Sequence, residues 1–247
     1  MARALSCAIR GAEKIFEETS VWDPRSECRF VAARPDEEPG LWSEYLAGAF
    51  ESYSKHGVVD ALEYERIRDG STTTLFFVAV AADGTVNGGL RAQGPYDRPE
   101  QSHVMEEWSN QVGEAAAREM IADRIPFGVV EMKAAWVRDR APNRRALTQS
   151  LASVGVCALE LLDVQFLMAS AADHVLDLWA SSGGVVATRI PPAAYPDDRY
   201  RTRMMWWDRD DRRIRAVAQQ FARLWAENEP GRSGQVRQAV EGRDASA

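Results

Sequence analysis

Residues 129–152, VVEMKAAWVRDRAPNRRALTQSLA, put an acid, a lysine and four arginines around a single change of backbone character. The β-branched and apolar run 129–137 reads as a central strand, and Glu131 and Lys133, two residues apart, share a face of it. A carboxylate buried on such a strand has its pKa raised and suits a general base. The alternative is half of a structural ion pair, with Lys133 or Arg91 as the other half. Arg138, Arg140, Arg144 and Arg145 follow at once, interrupted by Pro142, before a helical pattern begins. Where a chain leaves a strand and enters a helix, free N–H groups at the positive end of the helix dipole suit an anion. The arginines add side-chain charge there; a solvated loop neutralised by some of the 37 acidic residues is the competing reading.

Other residues carry weaker signals. Glu106 and Glu107 beside Trp108 either recognise an amine or form the exposed face of an amphipathic segment. His56, His103 and His174 lie far apart with no ligand spacing, so no metal is expected. Trp206 and Trp207, adjacent on a strand, direct one ring to each face. Cys7, Cys28 and Cys157 have no paired spacing, which predicts free thiols and a reduced, cytoplasmic setting.

The elements that must position these groups are legible from period and punctuation. Residues 1–19 suit a short amphipathic helix, and CRFVAAR (28–34) a first strand ended by PDEEPG. Leu41, Tyr45, Leu46, Ala49 and Phe50 recur at helical spacing up to Gly57, and a second helix is expected over DALEYERIRDG. Asp83-Gly84 between two apolar runs predicts an antiparallel hairpin over 71–95. A mostly helical insertion, 102–123, precedes the strand at 129–137. Leu147, Leu151, Val154, Ala158, Leu161 and Leu162 then mark a helix, and VQFLMAS (164–170) returns as a strand parallel to 129–137. A helix stopped by Gly183-Gly184 and two further strands complete the domain. Ile214, Val217, Ala218, Phe221, Leu224 and Trp225 form the stripe of a last helix, free to pack on the domain or on a second copy of the chain as a homodimer.

The 247 residues thus divide into an extension (1–27), one α+β domain (28–208), an amphipathic helix (209–228) and a flexible tail (229–247). A net charge of −7 argues against a general nucleic-acid binder. Glu160 and Asp163 interrupt the longest apolar region, so no membrane span is expected.

Across roughly residues 28–208 this order resembles the GCN5-related N-acetyltransferase (GNAT) superfamily, and more closely its acyl-homoserine-lactone synthases and long-chain N-acyl amino acid synthases. NGGLRAQGP, with Arg91, is similar to the glycine-rich approach to an arginine on the second hairpin strand; Glu131-Met132-Lys133 matches a Glu-x-Arg core; the insertion 103–126 sits where those synthases carry one. In RAPNRR (140–145), Asn143 and Arg145 stand where the ordinary acetyltransferase loop has small residues. The resemblance implies an α/β/α mixed sheet with a splayed parallel pair. It also implies acyl transfer to a small amine or amino acid from acyl-CoA or an acyl carrier protein, with no covalently bound cofactor. Val137, Arg138, Arg140, Asn143, Arg144 and Arg145 would then hold the donor, and Arg91, Glu106, Lys133 and Trp136 the acceptor. Glu131 would be the base and Tyr200, near the general-acid tyrosine of acetyltransferases, the acid, with Tyr195 beside it. A non-catalytic ligand- or partner-binding protein on the same scaffold is the alternative.

Overall fold

A computed structural model of the chain describes residues 20–227, with side chains up to 221. Cys7, the helix expected within 1–19 and the tail 229–247 lie outside the described residues.

Eight strands form one sheet: β1 (Ser20–Asp23), β2 (Cys28–Ala33), β3 (Leu75–Ala81), β4 (Val86–Gln93), β5 (Val129–Val137), β6 (Phe166–Ala172), β7 (Val185–Val186) and β8 (Thr202–Asp208), in the order β1-β2-β3-β4-β5-β6-β8-β7. All neighbours are antiparallel except β5 and β6, which run parallel. Their pairing lasts three residues, Val129 to Glu131 against Phe166 to Met168, and then the strands part. The parting coincides with a bulge. Gly89 of β4 faces Trp136 and Arg91 faces Lys133, so Ala134 and Ala135 oppose Leu90 alone, and Ala134 takes a left-handed φ of 49°.

Helices cover both faces. On one lies α1 (Pro39–Lys55), started by a proline in its first turn and packing Trp42, Tyr45, Leu46 and Ala49 on Phe76, Val78 and Trp136. Beside it sits the insertion, α3 (His103–Glu107) and α4 (Glu114–Ala122), whose Val104, Trp108 and Ile121 meet Met168, Met204 and Trp206. The other face carries α5 (Arg144–Val154), α6 (Ala158–Leu161), α7 (Leu176–Ser181) and α8 (Arg212–Glu227) over Leu90, Val130, Met132, Leu167 and Trp207. Trp206 and Trp207 thus serve opposite faces, as alternation requires. Among the described residues no helix is long and apolar enough to cross a membrane.

One expectation needs correction, and two further features complete the fold. The region 60–70 is not a full helix: a 3₁₀ turn at Val59–Leu62 and a single helical turn α2 (Tyr64–Ile67) are separated by Glu63, whose left-handed φ of 53° breaks the helix. The sheet begins at Ser20, ahead of the boundary placed at 28, because the Asp23–Cys28 turn folds β1 back on β2. There Ser26 and Ser150 both donate to Asp23 Oδ2 at 2.7 Å, tying the hairpin to α5. Of the two packings open to the C-terminal helix, the structure shows the one on the domain, where Ile214 and Phe221 are buried in the main core and Phe221 meets Phe30 edge-on.

Gly48 of α1 lets the Trp136 indole press against the helix backbone, and an added methyl would fall inside the ring. Gly48→Ala gains helix propensity but overpacks a site that cannot give way; urea melts should show a net loss of about 1–3 kcal/mol.

Candidate active site

Where β5 and β6 separate, a cleft of about 570 Å³ opens through the sheet. Its walls include residues of both sheet faces: Ala169 and Ala171 look toward α5, while Ser170 looks toward the insertion. Past Glu131, the β6-side edge of β5 has no strand partner among the described residues, and Lys133, Ala134, Ala135 and Trp136 of that stretch line the cleft. The bulge that frees the edge is pinned from α1, where the Tyr45 hydroxyl donates to the Ala134 carbonyl at 2.9 Å.

Between the two apolar clusters on the α1 face lies a strip of buried charge: Arg91, Glu131, Lys133, Glu107 and His103. Glu131 is 1% exposed and is not part of the cleft wall. Its Oε2 accepts from the Tyr96 hydroxyl at 2.7 Å and from the His103 backbone N–H at 2.9 Å, so it anchors the start of α3 to the sheet. Neither Lys133 nor Arg91 is its hydrogen-bond partner. Lys133 pairs instead with Glu63 Oε2 at 2.9 Å, and burial lowers its pKa. Arg91, fully buried, donates to Thr73 and Gln93.

Glu107, the neighbour of the expected Glu106, is the carboxylate the fold delivers to the cleft. Five per cent exposed, it accepts from Ser170 Oγ at 2.7 Å on Oε1, while Oε2 has no partner among the described residues. Burial pushes its pKa up to about 7 against the opposing charge of His103, with Glu131 adding to the rise. Glu106 is half exposed and pairs with Arg66 at 2.6 Å. His103 also lines the cleft, its Nε2 2.8 Å from the Tyr195 hydroxyl. Nothing in the sequence separates Glu107 from Glu106 except helical phase, and a five-residue helix gives too little of it.

Of the other expected residues, Lys133, Trp136, Val137, Arg144 and Tyr200 line the cleft; Arg91, Glu106, Arg138, Arg140, Asn143 and Arg145 do not. Arg138 spans Val86 O and Glu51. Arg144 and Arg145 open α5 behind Asn143, whose φ of 50° turns the chain into the helix without a side-chain cap. Together with Arg25 from the β1–β2 turn, a residue sequence reasoning missed, they border a shallow basic basin. Asp139 takes up part of that charge, pairing with Lys55 and Arg144. Ligand atoms of Glu63, His103 and Glu106 lie within 4.8 Å of one another, a metal-compatible spacing assembled from separate elements, but Lys133 and Arg66 already sit on the two carboxylates.

No protein-family model matches the sequence. Over 212 residues, 86% of the chain, it is 48% identical to the uncharacterized proteins Rv1356c of Mycobacterium tuberculosis and Mb1391c of Mycobacterium bovis, covering 81% of each. The chain belongs to their family. Among solved structures it is similar to FeeM, an N-acyl amino acid synthase from uncultured soil microbes, with a TM-score of 0.53 at 12% identity over 78% of this chain and 98% of that one. It is also similar to MesI, a CoA-dependent acyl-homoserine lactone synthase, with a TM-score of 0.50 at 11% identity over 78% and 95%. At such identities the likeness is one of fold, and the fold is that of the GNAT superfamily.

Glu131→Gln tests the role of the strand carboxylate. With the anchor of α3 weakened, the melting temperature should fall, by roughly 1–3 kcal/mol of stability, while turnover per folded molecule stays within about tenfold. Unchanged stability with lost turnover would return Glu131 to the chemistry.

Proposed function

We propose that the chain is an N-acyltransferase moving an acyl group from a phosphopantetheine thioester, carried by coenzyme A or an acyl carrier protein, to a small amine or amino acid. The observation that carries this reading is the cleft itself. It crosses the sheet at the β5–β6 parting, with a buried carboxylate that has a free oxygen on one side and the arginine-flanked start of α5 on the other.

A pantetheine arm, with its amides in an extended chain, suits the unpaired edge of β5, and an amide of that edge polarises the thioester carbonyl. The donor's phosphate lies toward Arg144 and Arg145, with Arg25 beside them. The neutral amine attacks the carbonyl carbon: a C–N bond forms, one N–H proton passes to the Glu107 carboxylate, and the C–S bond breaks. The departing thiolate takes a proton from Tyr200, whose ring lines the cleft. Glu107 is preferred to Glu131 as base because it lines the cleft, which Glu131 does not, and because burial raises its pKa to about 7. Lys133 keeps N–H donors beyond the one on Glu63, which suits an acceptor bearing a carboxylate. The buried free thiols of Cys28 and Cys157 accord with a reducing compartment.

Release of free thiol from acyl-CoA and acyl-carrier-protein thioesters, on addition of an amine panel, tests the reading. kcat/KM should rise with pH through about 7 as Glu107 ionises, and Glu107→Gln should cut kcat by roughly 10²–10⁴-fold with donor affinity kept. The Arg144→Ala/Arg145→Ala double variant should weaken binding of at least one donor, and added salt should weaken it in the parent. Thiol release from no pairing would leave a ligand-binding protein on an acyltransferase scaffold.

A further inference from the structure

The strip beside the cleft orders its charges with alternating sign. Lys133 Nζ lies 2.9 Å from Glu63 Oε2, Glu63 Oε2 lies 2.9 Å from His103 Nδ1, and His103 Nε2 lies 3.4 Å from Glu107 Oε1. His103 is 4% exposed, so water cannot substitute for these neighbours. A carboxylate stands at each ring nitrogen, Glu63 and, at 3.5 Å, Glu106 on Nδ1, and Glu107 on Nε2. Nδ1 is within ion-pair distance of Glu63 without an aligned hydrogen bond, and against ionised Glu63 and Glu107 a ring with N–H at both positions sets no lone pair against a carboxylate oxygen. Tyr195, 2.8 Å from Nε2, can accept from that N–H or donate to a bare nitrogen, and so does not decide the matter.

The charges facing the ring from every side favour the imidazolium. Glu63 comes from the turn before α2, Glu106 and Glu107 from α3 itself and Glu131 from β5; Lys133 of β5 and, through its pairs with Glu63 and Glu106, Arg66 of α2 oppose them. Burial works against a charged ring, but the close Glu63 carboxylate and the fields of Glu107 and Glu131 outweigh it, and the net displacement is upward.

We infer that His103 is a positioning residue: held as an imidazolium between Glu63 and Glu107, it keeps Glu107 ionised in the cleft so that the carboxylate can take the proton of the acceptor amine. This rests on the reading of Glu107 as the base. His103 touches neither the acyl carbon nor the amine; it supplies the counter-charge without which a buried carboxylate would carry its proton already. The backbone N–H of His103, held by Glu131, fixes the ring's place at the head of α3.

The test is the pH profile of kcat/KM for the parent, His103→Gln and Glu107→Gln. In His103→Gln, which keeps an amide N–H toward Tyr195 but no charge, the acid limb should move up by about one pH unit or more, a loss of roughly tenfold on the limb, with turnover recovering at alkaline pH. A merely structural role would lower activity at every pH alike. An unmoved acid limb in folded His103→Gln, with Glu107→Gln inactive, overturns the role of His103 while the base reading stands; a Glu107→Gln variant that keeps both turnover and the acid limb removes both. Should His103→Gln fail to fold, ¹⁵N-histidine spectra of the parent decide, since the chain has only 3 histidines to assign. Two protonated ring nitrogens on His103 at pH 7 support the inference, and one overturns it.

Discussion

The parting of β5 from β6 is the constraint on which the rest of the arrangement depends. Parallel strands in a sheet ordinarily stay paired along their length, because an abandoned edge leaves N–H and C=O groups without partners. Here the pairing stops at Glu131, and two devices hold it open: the bulge at Ala134–Ala135, which turns the second half of β5 away, and the Tyr45 hydroxyl, which fixes the bulge from α1. The aromatic packing around Tyr45, stacked on Trp42 and tilted against Phe76 and Trp136, therefore braces an opening as well as filling a core. The exposed edge is what a thin, amide-bearing ligand chain can use.

A second consequence follows on the α1 face. The two clusters that cover it, one built on α1 and one on the insertion, do not meet, and the seam between them holds ionised groups instead of aliphatic ones. Burying a carboxylate or an ammonium costs on the order of several kcal/mol each, and a paired set seldom does better than well-packed apolar residues of the same volume. Stability alone gives no reason to keep Arg91, Lys133, Glu63, His103, Glu107 and Glu131 together. Alternating signs and shared hydrogen bonds limit the cost, and what is left falls on Arg91 Nε, His103 Nδ1 and Glu107 Oε2, buried atoms without a hydrogen-bond partner among the described residues.

How much of this the sequence discloses depends on the range of the interaction involved. The Asp83-Gly84 hairpin, β5 and the parallel return to β6 follow from local period and turn chemistry, and they stand where expected, with β5 matching 129–137 residue for residue. β1 was not legible, because four residues give too short a period and its hold on α5 runs through Asp23 to Ser150, 127 positions away. The break at Glu63 was hidden for a related reason: a left-handed glutamate leaves no compositional mark, and what compensates it is the set of cations and the histidine around its carboxylate.

The site divides the same way. Glu131 was conspicuous as an acid on an apolar strand, and its position proves central, yet what a buried strand carboxylate does is set by its neighbours from other elements. Tyr96 and the N–H of His103 both donate to its Oε2, and in doing so they lock α3 to the sheet. That lock places Glu107 one turn further along α3, at the cleft wall, where one oxygen is steadied by Ser170 and the other is buried without a partner among the described residues. A strand fixes a side chain along a single direction, up or down from the sheet, whereas a short helix standing on that sheet can swing a carboxylate over the opening. The strand acid and the helix acid are thus parts of one construction, the first holding the frame and the second carried by it to the cleft.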